Sequence, residues 1–147
     1  MNTDWNHVEI LEREDYEQMT DSLCYGAVNP CSRVTTFSKL LDNYYFEKAI
    51  ELNLNVSAID ANTILNKLIG KPYSIVQILF ISIRLFFGRL LNFLPYVKLN
   101  LTKYLICTEL VGIFMQEACG YRFATSPEML TINEVEEIAI KNCVRFT

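Results

Sequence analysis

From Tyr73 to Leu94 the chain is almost wholly apolar, and this run limits the possible folds more than any other feature. It is long enough to span a bilayer as a helix. Arg84 and Arg89 interrupt it, however, and each arginine costs about 2.5 to 3.5 kcal/mol at the centre of an inserted helix. Ser74, Gln77, Ser82 and Asn92 weaken the case for a span further. The favoured expectation is a helix buried on several sides within a helical globule, ended or kinked at Pro95.

A core of that kind needs apolar material, and 51% of the 147 residues are apolar and 12% aromatic. General disorder is excluded, and the length suits one domain over 1–147. A formal charge of -4 argues against nucleic acid as a partner. His7 is the single histidine, so a multi-histidine metal site or a histidine-based triad is not expected. The sequence suggests no nucleophile–base pair, and the chain reads as neither an enzyme nor a cofactor protein. Cys24, Cys31, Cys107, Cys119 and Cys143 contain no C-x-x-C pair and read as reduced, mostly buried thiols. The acidic stretch from Met1 to Asp21 has no apolar signal-peptide region.

Helical spacing is read throughout. Trp5, Val8, Leu11, Tyr16, Met19 and Leu23 suggest a first helix, which breaks at Gly26, Asn29 and Pro30. Phe37, Leu40, Leu41, Tyr44, Tyr45 and Ile50 mark a second over Val34–Leu52. Ser57–Asp60 resembles a capping box opening a helix to Ile69, with Gly70 and Pro72 as its stop. Beyond the apolar run, a helix is expected over Leu99–Gln116. A last one carries Ile132, Val135, Ile138, Ala139 and Cys143. Strand alternation is not seen, and the expectation is an all-α bundle around a hydrophobic central hairpin.

No carboxylate falls between Ala61 and Thr108, whereas Lys67, Lys71, Arg84, Arg89, Lys98 and Lys103 do. Buried charges need partners. Two solutions stay open. Either the arginines reach solvent or acids of the N-terminal segment, or one sits at a groove mouth awaiting an acid on a partner.

Three segments in order carry a resemblance. Tyr73–Arg89 ends in Gly88-Arg89, with Val76 and Phe80 upstream and Phe93 four residues beyond. Ile113-Phe-Met-Gln-Glu-Ala-Cys-Gly-Tyr121 and Phe37-Ser-Lys-Leu-Leu41-Asp42 complete the set. These resemble the first, second and third homology motifs of the Bcl-2 family, in a form similar to the divergent homologues of large DNA viruses. The sequence departs from the family at Phe86-Phe87, Leu41 and Cys119.

The resemblance implies a Bcl-2-like bundle of about seven to eight helices. Its implied activity is inhibition of host apoptosis by sequestering the helix of pro-apoptotic proteins such as Bim, Bak or Bax. The implied groove is floored by Val76, Phe80, Leu90 and Phe93, with Tyr44 on its rim and Gly88 allowing close approach. Arg89 meets the incoming aspartate through a charge-assisted contact. Each apolar position also fits plain core packing. The chain's last residues, Lys141–Thr147, form no apolar anchor. The expected location is therefore the host cytoplasm, with mitochondria reached only through partners. A homodimer through exposed groove surface is a further expectation. The rivals are a Bcl-2-fold inhibitor of inflammatory signalling and a membrane-active helical protein.

Overall fold

The computed structural model describes residues 7–12, 22–46, 48–87 and 105–146. The chain order is β1 (Ile10–Leu11), β2 (Leu23–Ala27), β3 (Ser32–Thr36), α1 (Phe37–Leu41), β4 (Ile50–Leu52) and α2 (Ala58–Leu68). It continues with α3 (Ile75–Phe87), α4 (Cys107–Cys119), a 3-10 turn at Pro127–Met129, α5 (Ile132–Asn142) and β5 (Cys143–Phe146). Strands β1, β2 and β3 form an antiparallel sheet in that order, and β4 pairs antiparallel with β5. The expected all-α, Bcl-2-like bundle is therefore corrected: the fold is mixed α/β.

The physical reason lies in the first third of the chain. The apolar positions of the expected first helix are loosely spaced, and they hide a tighter period of two. His7, Glu9 and Leu11 alternate with Val8, Ile10 and Glu12, which suits an extended segment. Ile10 pairs with Tyr25 and Leu11 with Cys24. Val34, Thr35 and Thr36 are β-branched, and their stiff side chains favour β3, where Val34 lies opposite Tyr25. The expected second helix survives only as α1, one turn and a half after β3, and its far end is β4.

The C-terminal two thirds follow helical logic more closely. Ser57 caps α2 by accepting from the Asp60 N–H at 3.2 Å. α4 is the central element: Leu110, Met115 and Ala118 are fully enclosed, and it packs on α2, β2 and α5. It ends at Gly120, whose φ of 71° is left-handed, while the Asn55 side chain donates to the Cys119 carbonyl at 2.6 Å. Among the described residues no helix is long and apolar enough to cross a membrane.

Candidate functional site

α4 begins at Cys107, and the approach to it is held in place by backbone pairing. Leu105 donates to the Pro72 carbonyl at 2.8 Å, and its own carbonyl accepts from Ser74 at 3.3 Å. Leu105 and Tyr73 bridge like neighbouring strands, so an extended segment delivers Cys107 to the first position of the helix. Ile106 precedes it without a side-chain cap, and the first intrahelical bond runs from Leu110 back to Ile106. The first-turn N–H groups have no partner within the helix, and an anion beside them meets the positive end of the helix dipole.

The lone histidine reaches this point from the other end of the sequence. His7 and Glu9 stand two residues apart in the extended run that leads into β1, so their side chains share a face. His7 Nε2 lies 2.7 Å from Glu9 Oε1, with side chains only 12% and 5% exposed. The Cys107 side chain lies close enough to the ring to raise its proton affinity. Tyr44 stacks on the imidazole, with centroids 4.8 Å apart and planes at 20°. Thiol, imidazole and carboxylate thus form one buried chain at the head of a helix.

Electrostatics favour a charged pair here. Burial opposes protonation of His7. Cys107 and Glu9 outweigh it and raise the ring to about 9. Burial and then Glu9 push the Cys24 thiol up to about 12, and burial pushes Cys119 up to about 11. Those two cysteines are inert core thiols. Cys107, with a base beside it and a helix terminus behind it, has the environment of a nucleophile.

A cleft of about 1250 Å³ adjoins this cluster, with His7, Glu9 and Tyr44 in its wall. It is also lined by Leu65, Val111, Phe114, Met115, Val135 and Ala139 of the hydrophobic core.

A second buried polar group involves the same first turn of α4, at Glu109. Gln77 of α3 is fully enclosed, and its Nε2 donates to Glu109 Oε2 and to the Glu128 carbonyl, both at 2.8 Å. Burial pushes the Glu109 carboxyl up to about 7, with the Gln77 bond opposing and the Glu128 charge adding. This cluster ties α3 to α4.

Of the residues expected to form the groove, only Tyr44 and Val76 have described side chains. Tyr44 lines the cleft beside His7. Val76 stands on the outer face of α3, 55% exposed, next to the inward Gln77, and takes no part in the cleft. Phe80 belongs to α3. Gly88, Arg89, Leu90 and Phe93 lie outside the described residues, as does the question of what Arg89 would pair with. Sequence reasoning does not join His7 and Glu9 to Cys107, which lies about a hundred residues away. The available signals were a histidine–carboxylate pair at spacing two and a cysteine opening an apolar helix.

No group of three side chains suited to a metal is found among the described residues. Comparison with family models, curated proteins and solved structures finds no match to this chain.

Proposed function

We propose that the protein is a thiol-dependent hydrolase or acyltransferase, with Cys107 as nucleophile, His7 as its base and acid, and Glu9 holding His7. One observation carries this reading. The chain's single histidine, held by a buried carboxylate, stands beside a cysteine at a helix N-terminus. A nucleophile, a base and a group orienting that base are the parts required for acyl transfer.

In the reaction the Cys107 proton rests on His7, and Sγ adds to the carbonyl carbon of an ester, thioester or amide. First-turn N–H groups of α4 are the donors available for the developing oxyanion. His7 then delivers the proton to the departing alcohol, thiol or amine. Water or another acceptor takes the acyl group from sulfur, and its proton returns through His7. The ring's elevated proton affinity lets His7 hold a proton at neutral pH. The scarcity of histidine, which argued against an enzyme, is no obstacle to a site that needs one.

The test is alkylation with iodoacetamide followed by peptide mapping. Cys107 is expected to react ahead of Cys24, Cys31 and Cys119. His7→Gln should slow that reaction and cut hydrolysis of an activated ester by about 10² to 10⁴. Cys107→Ala should abolish turnover. If Cys107 alkylates no faster than Cys31, or turnover survives its removal, the assignment fails.

A further inference from the structure

The start of α3 turns its polar side chains inward and its apolar ones outward. Ser74 and Gln77 are both enclosed. The Ser74 hydroxyl accepts from the Gln77 N–H at 3.2 Å, and the Gln77 side chain is held by Glu109 and the Glu128 carbonyl. On the opposite face, Ile75, Leu79 and Ile83 follow one another at four-residue steps, with Val76 and Ile78 beside them. Ile75 is 67% exposed and Leu79 59%, and the other three are exposed as well. Ser82, the polar side chain on this face, donates its hydroxyl back to the Ile78 carbonyl at 2.8 Å. Single exposed apolar residues are ordinary, but a continuous stripe of them marks a surface that meets something apolar.

Charge decides between the surfaces it could meet. Ala61 to Thr108, the window around α3, contains six basic residues and no Asp or Glu, so all 17 carboxylates of this chain of net charge -4 lie outside it. Lys67, in the last turn of α2, is exposed, and Lys71 is half-buried just before Tyr73. The acid that does approach α3, Glu109, lies under its inner face and is buried. A second copy placed face to face would set two such basic windows against each other, because a twofold interface repeats the same surface. Anionic lipid offers the opposite sign together with acyl chains for the apolar stripe.

We infer that the outward face of α3 docks the protein on a membrane surface containing anionic lipid, with Ile75, Leu79 and Ile83 entering the boundary between headgroups and acyl chains. The helix lies in that boundary and does not cross it. Gln77 ties its other side to α4 and to the 3-10 turn, so lipid meets one face alone. This face is separate from the thiol chemistry, since none of its residues belongs to the His7, Glu9 and Cys107 cluster.

The experiment is flotation of the full chain with phosphatidylcholine vesicles, and with vesicles in which about one third of the lipid is phosphatidylserine. We expect the protein to float with the anionic vesicles and to bind the neutral ones about tenfold more weakly, the gap closing at high salt. Ile75→Gln combined with Leu79→Gln should weaken binding to anionic vesicles by about tenfold or more. Thermal unfolding should stay unchanged, because both positions are exposed. Val76→Gln with Ile83→Gln serves the same purpose should the first pair disturb α3. Cys107→Ala should float like the unaltered protein, so failure of the thiol reading would leave this one standing. Absence of flotation with either vesicle, or full binding by both altered pairs, overturns the inference. Equal binding to the two vesicle types overturns the assignment to anionic lipid. A dimer that the same substitutions split, without flotation, gives the face to a second copy and overturns it as well.

Discussion

Gly26 is what lets Glu9 reach His7. The Glu9 carboxyl lies across β2 at this position, and a methyl group there would overlap it. Gly26→Ala should therefore act as a disguised Glu9 mutation, swinging the carboxylate off the imidazole with little change in thermal unfolding. Both Gly26→Ala and Glu9→Gln are expected to lower kcat/KM by about 10²-fold, the scale of a misplaced catalytic group. A merely structural glycine would not move the pH profile. Here the alkaline limb should shift to lower pH, because Glu9 helps to raise the His7 proton affinity. An unchanged limb in both variants would remove Glu9 from the site. None of this is legible from composition. His7 sits among charged residues and reads as a solvated neighbour, until the sheet folds its face inward and the far end of the chain supplies Cys107.

Among the elements, those whose ends are written in local chemistry are the ones the sequence reveals. Ser57 with Asp60 opens α2, Gly120 closes α4, and the Thr131 hydroxyl accepts from the Glu134 N–H at 3.3 Å at the head of α5. The strands are two to five residues long, and pairing partners such as Ile50 and Phe146 lie almost a hundred positions apart. The β-branched run Val34–Thr36 marks β3 locally, whereas a partner as distant as Phe146 leaves β4 no local signal. The seam between α3 and α4 is similarly hidden, since Gln77 reads as a polar flaw in an apolar run. Fully enclosed, it supplies Glu109 with a buried donor. Gln77→Ala should cost about 2 to 4 kcal/mol, because it strands a buried acid. The loss should be larger at pH 8 than at pH 5, since burial raises Glu109 to about 7 and its ionised form needs the donor more. Urea titrations at the two pH values provide the measurement, and equal losses would rule out an ionised Glu109 at this seam.

For the molecule as a whole, the same buried groups set how stability responds to pH. Glu109 rises from 4.5 to about 7 on folding, and His7 from 6.5 to about 9. In both cases the folded state holds a proton that the unfolded chain gives up more readily. Where the native state binds more protons, stability falls as pH rises. Glu109 therefore withdraws stability between about pH 4.5 and 7, as its carboxylate ionises in a buried place. The His7 contribution is fully present below 6.5 and is lost as pH climbs through 9, when the imidazolium between Glu9 and Cys107 is discharged. The two windows overlap between about pH 6.5 and 7, so unfolding free energy should decline steadily from mildly acidic to alkaline conditions. Chemical denaturation across that range checks it. Glu109→Gln should flatten the lower part of the curve alone, and His7→Gln the upper part alone. A stability maximum at pH 8 or above in the unaltered protein would contradict both assignments. It would also remove the protonated imidazole beside Cys107 on which the proposed chemistry depends.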